Sequence, residues 1–510
     1  MRAYINSRDT LGLRIDLKTN KINNKLICLE YLYHTQLIPP INAAFRIASQ
    51  LKLTSTDPQP QFSTFVKQVT KNSFRLSPLM AIKNMLLGAN HLNIPFYPID
   101  EIEGIFSYGQ GKNSVFFNLA SSQFDSQIGG LLQSDKSKTN MYLNLLGYKT
   151  TEQKVASSLE QCHEIADQLG FPLVIKPING AKGNGVSANI TKHNQIAGAF
   201  KIANINSNNR VIVEKFVIGD AHRITVSNND DIIGVACIYP PFVIGNGKHN
   251  ILELIAIENK QRAAPENSKL TLKEINLDAK MLKNLQDIGM NELSIPEKSA
   301  RIDFLHTSNA DLGGKVTIID LDDIHPDNKK MAIDITKSFK LSCAGIDFIT
   351  PDITKSWREA GAVIEVNCHP GVGERLVEGI LTKSFSDRND GRIDSTLVVT
   401  NNDNFTFQVI DKIKTDHLKI GHANANNAFL NGDVKRTGKD ELYDNCRSLL
   451  IHQDCEEIFI TMPPETIIKY GLPIDYFDNC IVDPACKDDV TINEVKTFLK
   501  SHVGNIQKAN

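Results

Sequence analysis

The sequence predicts a multidomain protein of mixed α/β and α+β class, and three observations support this. The chain has 510 residues, whereas a single domain usually has roughly 100–200. Apolar residues make up 41% of it, which is enough for ordinary buried cores. From about residue 106 to residue 380, helical patterns alternate with β-rich runs. We therefore expect four parts in chain order: an N-terminal α/β domain over 1–105, a central domain over 106–380, a third α/β domain over 392–495 and a polar tail over 496–510.

Charge and cysteine content argue against several classes of protein. The chain has 56 Lys and Arg against 58 Asp and Glu, so we expect no broad positive surface for nucleic acid. Its nine cysteines form no Cys-x-x-Cys pair and are odd in number, which favours free thiols in a reducing compartment, the cytoplasm. The N-terminus lacks signal-peptide features, and the most apolar stretch, Ile232–Gly245, is too short to span a membrane. No membrane partner is therefore expected.

Capping signals predict two helices early in the central domain. Ser134 can cap a first helix, which Gly147 ends. Ser158 begins a second helix with a capping box, and Gly170 ends that helix. A short β run, Leu173–Ile178, follows directly.

A glycine-rich loop after this β run is the first candidate for chemistry. Lys176 lies in the apolar run, and Gly180, Gly183 and Gly185 follow it. Glycines let backbone N–H groups wrap phosphate oxygens, and a lysine on the adjacent strand adds a positive charge for the same phosphates. Because the lysine precedes the glycines, the pattern is not a Walker P-loop. The alternative interpretation is a flexible hairpin with one exposed lysine.

The next β run is a candidate binding edge for a purine ring. It reaches Glu214 and continues through Phe216 and Val217, so its backbone could hydrogen-bond an adenine beside apolar side chains. Asp220 and Arg223 follow a turn glycine, and Arg223 could contact phosphate or carboxylate in a bidentate manner. The alternative is a surface salt-bridge cluster after a strand, which this segment on its own favours.

Three oxygen-bearing side chains in two apolar runs are the metal candidates. Asp347 lies in one run, and Glu365 and Asn367 stand two residues apart in the other, on one face of a strand. A charge embedded in an apolar strand is costly unless it is paired or binds a metal. Oxygen ligands from neighbouring strands suit Mg²⁺, which takes phosphate oxygens and water as further ligands. The alternative is a buried acid paired with a lysine.

The order of these motifs resembles the ATP-grasp superfamily. Ser134–Lys136 comes first, and it is followed by VIKP with the glycine loop, VEKFVIGDAHR, AGIDF and VIEVNCHPG. Within the superfamily, the chain is similar to the ATP-grasp module of cyanophycin synthetase and of the bifunctional ligases that form glutathione. The resemblance covers about residues 105 to 380 and implies an ATP-grasp fold and the use of ATP.

The resemblance also implies roles for individual residues. The residues that contact or enclose the nucleotide would be Lys136, Lys176, Gly180, Gly183, Gly185, Glu214, Phe216, Val217 and Asp220. Without the resemblance, Lys136 would give no indication of a function. Two of the basic side chains would act on the transferred phosphate, Lys176 and Arg223. Mg²⁺, or Mn²⁺ in its place, would be held by Asp347, Glu365 and Asn367.

The C-terminal part has a separate resemblance. In cyanophycin synthetase a Mur-ligase-like module follows the ATP-grasp module, and residues 392–495 look like the beginning of one. The segment Val398–Phe407 falls where a glycine-rich phosphate loop would be, but it contains no glycine, and Phe405 stands in the place of the lysine. We therefore expect no second ATP site and interpret the unit as a truncated, degenerate module. The alternative is an unrelated small α/β domain.

Together these features predict a ligase with one active site. ATP would phosphorylate a substrate carboxylate, and an amine would attack the acyl phosphate to form an amide or peptide bond. By resemblance the substrates are amino acids or short peptides, and the N-terminal domain holds the acceptor. We also expect a homo-oligomer, a dimer or tetramer. The rival hypothesis is a nucleotide-binding scaffold or regulatory protein without catalysis.

Overall fold

A computed structural model describes the following parts of the chain: residues 3–6, 10–13, 80–178, 183–205, 207, 210–227, 230–262, 272–371, 373–385, 390–413, 418–486 and 490–508. Most of the predicted N-terminal domain lies outside these described residues, and so does Gly180. The chain divides into two compact units: unit 1 combines Met1–Gln123 with Val372–Asn510, and unit 2 is Phe124–Gly371. The finer division predicted from the sequence, with boundaries near 105 and 380, stays a prediction.

The described residues in the first part of unit 1 form two small antiparallel sheets and a helix. Its elements are β1 (Ala3–Asn6), β2 (Thr10–Leu13), α1 (Met80–His91), β3 (Phe96–Asp100), β4 (Ile105–Tyr108), β5 (Val115–Asn118) and β6 (Ser121–Ser122). β1 pairs with β2, and β3 to β6 form a meander in chain order. Four aromatic rings pack on one another in the meander: Phe96, Phe106, Tyr108 and Phe117.

Unit 2 is built on two larger sheets. In chain order its main elements are α2 (Gln127–Ser134), α3 (Lys136–Leu145), β7 (Gln153–Ala156), α4 (Leu159–Leu169), β8 (Leu173–Pro177), β9 (Ser187–Ile190), α5 (Ile196–Asn204), β10 (Val211–Lys215), β11 (Asp220–Ser227), β12 (Asp231–Ile238), β13 (Phe242–Ile244), α6 (Ile251–Arg262), α7 (Ala279–Asp287), β14 (Arg301–Asp303), β15 (Val316–Ile319), α8 (Pro326–Ser338), β16 (Cys343–Thr350) and β17 (Ala362–Asn367). A four-stranded sheet has the order β7-β10-β8-β9, and a five-stranded sheet has the order β15-β12-β11-β16-β17.

Each of these two sheets buries one apolar face under helices. Under the five-stranded sheet, alternate residues of β16 such as Ile346 and Phe348 join Ile335 and Phe339 of the α8 region in one core. Under the four-stranded sheet, α4 and α5 cover residues such as Ile175. Because strand side chains alternate between faces, the opposite face of each strand is left for polar residues.

The second part of unit 1 is a seven-stranded sheet with helices. Its elements are α9 (Glu374–Thr382), β18 (Asp394–Val399), α10 (Asp403–Ile413), β19 (Ile420–Ala423), β20 (Asn427–Leu430), β21 (Asp433–Thr437), α11 (Leu442–Leu450), β22 (Glu457–Met462), α12 (Pro464–Tyr470), β23 (Phe477–Val482), α13 (Val490–Leu499) and β24 (Val503–Lys508). The strand order is β21-β20-β19-β22-β18-β23-β24, and β19, β22, β18, β23 and β24 are parallel. The predicted α/β class is confirmed.

The two parts of unit 1 are joined by buried contacts. Arg392 forms a bidentate ion pair with Asp475, at 2.8 Å for each bond, and both side chains are buried. Its backbone oxygen accepts from Asn113, at 2.7 Å. Helix α9 packs on α1 at Gly88, where an added Cβ would meet Val377 at 2.3 Å. These contacts explain why residues near 100 and near 400 lie in one unit.

The first predicted helix cap was wrong by one residue. Ser134 is the last residue of α2, and Asp135 caps α3, accepting from the N–H groups of Ser137 and Lys138 at 2.9 and 3.2 Å. Both Ser134 and Asp135 are good N-cap residues. Because α2 extends through Ser134, Asp135 is the residue that caps α3. The second helix is confirmed, since the Ser158 side chain caps α4.

The expected polar tail also differs from the structure. α13 extends to Leu499, which is buried, and β24 pairs with β23 through Val503 and Phe477. The apolar residues Leu499 and Val503 complete the core of the seven-stranded sheet. Among the helices of the described residues, none combines the length and the apolar character needed to cross a bilayer.

Candidate functional site

Three charged side chains line up across the middle of the five-stranded sheet. Arg223 on β11 is the register partner of Asp347 on β16, which in turn is the partner of Glu365 on β17. The Nε and Nη2 atoms of Arg223 donate to the two carboxylate oxygens of Asp347, at 2.5 and 2.7 Å. Asn367 donates to the same carboxylate at 3.3 Å. The structure therefore brings the three predicted metal side chains together with Arg223.

Local backbone features make room for this arrangement. Gly345, two residues before Asp347 and on the same strand face, would place a Cβ only 2.8 Å from Cδ of Arg223. The register between β16 and β17 also shifts between Asp347 and Phe348, which is a β-bulge. Bulges commonly re-aim side chains beside active sites. Gly345 was not singled out as functional in the sequence, although it lies inside the AGIDF motif.

Lys136 supplies a second cation to the same cluster. Its Nζ atom lies 3.3 Å from the Glu365 carboxylate, and both side chains are partly buried. Lys136 is the first residue of α3, where Asp135 fixes the start of the helix. Each predicted metal-binding carboxylate therefore has its own basic partner, as in the alternative interpretation of buried acids paired with cations.

Lys176 lies on the four-stranded sheet in a buried ion pair. Its Nζ atom is 2.7 Å from Glu214, and the two residues are 7% and 5% exposed. The second oxygen of Glu214 accepts from Thr151, at 2.7 Å. The interpretation of Lys176 as an exposed hairpin lysine is therefore wrong. Thr151 is a partner that the sequence did not reveal, because an isolated threonine carries no signal of its own.

Helix α3 connects the two groups of charges. Asn140, one turn after Lys136, donates to the backbone oxygen of Thr151 at 2.8 Å. The Gln153 side chain also reaches the Lys136 backbone oxygen, at 3.5 Å. A continuous set of contacts thus runs from the Lys176–Glu214 pair through Thr151 and α3 to the carboxylates of the five-stranded sheet.

The predicted phosphate loop is described only in part. Gly183 and Gly185 have positive φ angles of 69° and 75°, a conformation that favours glycine. A Cβ on Gly183 would lie 3.2 Å from the Asn309 amide nitrogen. Gly180, the first glycine of the predicted loop, lies outside the described residues.

The predicted adenine edge leads from one sheet to the other. Phe216 and Val217 are half-buried in the connection between β10 and β11, and Asp220 is exposed at the start of β11. The Phe216 N–H group already donates to the Pro172 oxygen, at 3.0 Å. These residues follow Glu214 along the chain, and their contact with adenine stays a prediction.

Electrostatics keep Arg223 charged in this site. Burial disfavours the guanidinium, but the charges of Asp347 and Glu365 and the bond to Asp347 outweigh it and raise the pKa of Arg223. Within the described residues, no group of three or more His, Cys, Asp and Glu side chains is placed to hold a metal. The candidate set here is two carboxylates and one amide, a hard-oxygen set that suits Mg²⁺ better than softer metals.

A family model for the C-terminal domain of D-alanine–D-alanine ligase matches residues 139–318. Over these residues the chain is similar to the ATP-grasp ligases. The match contains Lys176, Glu214 and Arg223 but ends before Asp347. The resemblance to the ATP-grasp superfamily predicted from the motifs is confirmed.

Curated relatives extend the similarity beyond these residues. The cyanophycin synthetase of Crocosphaera subtropica is 26% identical over 471 residues, which cover 89% of this chain and 54% of the relative. The bifunctional glutathione biosynthesis protein of Mannheimia succiniciproducens is 30% identical over 257 residues, which cover 48% of this chain and 33% of that protein. The chain therefore spans about half the length of the first of these relatives.

Among solved structures, the bifunctional glutathione synthetase from Pasteurella multocida aligns with a TM-score of 0.44 and 22% sequence identity. The alignment covers 63% of this chain and 46% of that one.

Proposed function

We propose that this ATP-grasp homologue is an ATP-dependent carboxylate–amine ligase, which forms an amide or peptide bond through an acyl phosphate. The observation that carries the proposal is the row of alternating charges formed by Arg223, Asp347, Glu365 and Lys136. The substrates we propose are amino acids or short peptides, as the names of the relatives suggest.

The charge pattern matches a ligand that brings both signs. The two carboxylates and the two basic side chains of the row compensate each other's charge. A triphosphate would draw the cations, while a divalent cation would draw the carboxylates. Magnesium-loaded ATP supplies both, so it could replace these internal ion pairs without leaving a charge uncompensated.

The protein's own residues would act by position and charge. Arg223, on the strand beside Asp347, would hold the phosphate that moves to the substrate carboxylate. Lys136 and Lys176 would bind the remaining phosphates, and the loop that contains Gly183 and Gly185 would exclude water from them. Mg²⁺ held by Asp347, Glu365 and Asn367 would neutralise phosphate charge and align the reacting groups.

The carboxylate–amine reaction needs no covalent protein group. The substrate carboxylate takes the γ-phosphoryl group of ATP, and ADP leaves. The amine then attacks the acyl carbon, phosphate leaves, and the amine loses a proton. This balance requires only positioned substrates and charge stabilisation, the roles that we propose for the described side chains.

Unit 1 supports a single ATP site. The loop between β18 and α10 lies where a second phosphate loop would be, yet Thr400 there donates to Asp483 at 2.6 Å. Phe405, in the place of a phosphate-binding lysine, packs against an apolar cluster that includes Val409 and Phe459. We infer that residues 392–495 are a degenerate Mur-ligase-like module that serves structure or substrate reach.

Several finer points belong to the same proposal. The eight cysteines in the described residues are free thiols, which supports a reducing compartment such as the cytoplasm. Assembly as a dimer or tetramer, acceptor binding by the N-terminal domain and the use of Mn²⁺ in place of Mg²⁺ stay predictions.

The decisive experiment is ATP turnover with pooled amino acids and short peptides, followed by mass spectrometry of the products. We expect ADP formation that depends on one pool, with a product lighter by one water than the sum of its two substrates. The Asp347→Asn variant serves as the negative control. Nucleotide binding without turnover in every pool would overturn the ligase proposal and favour the scaffold hypothesis.

A further inference from the structure

Thr151 lies in a short connection between the two large sheets of unit 2. On one side of it, Thr150 forms an isolated parallel bridge with Val363 of β17, the strand that carries the candidate metal ligand Glu365. On the other side, β7 begins two residues after Thr151 and pairs with β10, the strand that carries Glu214. Thr151 therefore stands between the candidate metal strand and the candidate adenine strand.

The backbone of Thr151 is fixed by contacts that do not involve its own side chain. Its backbone oxygen accepts from the side-chain amide of Asn140 on α3, at 2.8 Å. Two residues earlier, the Lys149 oxygen accepts from the Val363 N–H group, at 2.9 Å. A change of the Thr151 side chain would leave both of these bonds in place.

The Thr151 hydroxyl fixes the orientation of the Glu214 carboxylate. It donates to Oε2 of Glu214 at 2.7 Å, whereas Oε1 lies 2.7 Å from Nζ of Lys176. An ionised carboxylate only accepts, so the hydroxyl is the donor of this bond. The Asn140 amide lies 3.4 Å from the same hydroxyl oxygen and supplies a donor to it. Because its two oxygens are held by different donors, the carboxylate cannot turn freely.

A carboxylate fixed at this point can distinguish adenine from guanine. The resemblance assigns Glu214 to the nucleotide, just before Phe216 and Val217 of the candidate adenine edge. Adenine carries an amino group, a donor, at the ring position where guanine carries a carbonyl oxygen, an acceptor. An ionised carboxylate has about four acceptor positions, so Glu214 can accept one further bond from the amino group. It has no hydrogen to offer to the guanine oxygen.

We propose that Thr151 is the positioning residue for Glu214 and thereby gives the site its preference for adenine over guanine nucleotides. This inference rests on the ATP site of the proposed function. Thr151 acts through Glu214 and does not itself contact the nucleotide. Without the hydroxyl, the carboxylate is held only by Lys176, so the oxygen offered to the base is no longer fixed.

The test is equilibrium binding of ATP and of GTP, each with excess Mg²⁺, measured by calorimetry on the full chain. For Thr151→Val we expect ATP to bind roughly tenfold more weakly, because the carboxylate loses a hydrogen bond that orients it. GTP should bind as in the unaltered protein, so the preference for ATP should fall by the same factor. Thr151→Ser keeps the hydroxyl and should restore the preference.

The matched control is Thr336→Val. Thr336 on α8 is also buried in unit 2, and its hydroxyl donates to the Ala332 oxygen at 2.9 Å. The control removes the same hydroxyl group and should leave both affinities unchanged. Circular dichroism checks the fold of each variant, and Thr151→Ala carries the same expectation where the valine variant does not fold. An equal loss of ATP and GTP affinity would overturn the proposal, since general damage to the site weakens both.

Binding and turnover together separate this inference from the ligase proposal. A preference for ATP that depends on the Thr151 hydroxyl supports the inference even where no amino-acid pool supports turnover. An unchanged preference in Thr151→Val would overturn the inference and leave the ligase proposal standing. Where turnover occurs, Thr151→Val should raise KM for ATP and leave kcat unchanged, because the base is held equally in the ground and transition states. Absence of ATP binding by the unaltered chain would overturn both proposals.

Discussion

Arg223 and Asp347 face each other from two neighbouring antiparallel strands and form a bidentate ion pair at 2.5 and 2.7 Å. Gly345, which lies on the same strand as Asp347, leaves space for the aliphatic part of the Arg223 side chain. The pair gives the candidate site a fixed direction, because a planar guanidinium bound at two points cannot rotate freely. Phosphate and metal would therefore meet groups that are already oriented.

Loss of a proposed metal-binding carboxylate should remove turnover while leaving the fold intact. For Asp347→Asn and Glu365→Gln we expect kcat to fall by roughly 10²–10³-fold, because each change removes a negative charge from the proposed magnesium ligands. ADP release measures turnover, and circular dichroism checks the fold. Substantial activity in both variants would contradict the assignment of these residues to the metal.

Variants of the buried Lys176–Glu214 pair should distinguish its effect on stability from its effect on nucleotide binding. Lys176→Met leaves Glu214 as an unpaired buried charge, so we expect a loss of about 3–5 kcal/mol in the free energy of unfolding. The double change Lys176→Met with Glu214→Gln should recover most of that loss, because no charge then remains buried. Urea unfolding measures both variants.

The affinity of the same two variants for ATP tests the proposed binding role of Lys176. ATP affinity should stay reduced in the double variant, since the lysine proposed to contact phosphate is still missing. Recovery of ATP affinity along with stability would show that Lys176 has a structural role only.

Gly345→Ala tests the space beside Arg223. The new methyl group would lie 2.8 Å from Cδ of Arg223, so we expect the guanidinium to shift, turnover to fall at least tenfold and stability to drop by about 1–3 kcal/mol. Gly198→Ala in helix α5 is the matched control, because a Cβ there meets nothing within 4 Å. That change should raise stability by up to about 1 kcal/mol and leave turnover unchanged. Equal turnover in the two variants would argue against the role of Gly345.

Unit 1 should lose stability in mild acid through His422. Its side chain is 2% exposed, and burial lowers the pKa of His422 from 6.5 to about 4. The unfolded chain therefore binds a proton that the folded chain does not. Stability is fully present above about pH 6.5 and falls as the pH drops toward 4, by about 3 kcal/mol in total.

The measurement is urea unfolding of the full chain at several pH values between 7 and 4. His422→Gln should show a shallower loss of stability across this range, whereas the exposed control His91→Gln should follow the unaltered protein. If His422→Gln and the unaltered chain have the same dependence on pH, another group causes the acid sensitivity.

The sequence by itself determined the elements and the chemistry of the candidate site. Apolar runs with embedded charges identified the strands that carry Lys176, Asp347 and Glu365, because a buried charge in an apolar strand needs a partner or a metal. Local capping rules placed α4 correctly, and they failed at α3 only where Ser134 and Asp135 compete for the same role.

Only the tertiary structure decided which charges meet. The pairing of Arg223 with Asp347 and of Lys136 with Glu365 depends on strand register and on the position of α3. Both are determined by contacts between residues that lie far apart in the chain. The same holds for His163 and His193, thirty positions apart, which come within 3.2 Å because α4 and the turn before α5 cover one sheet. Local sequence patterns carry no distance information of this kind, since such contacts depend on packing across the whole domain.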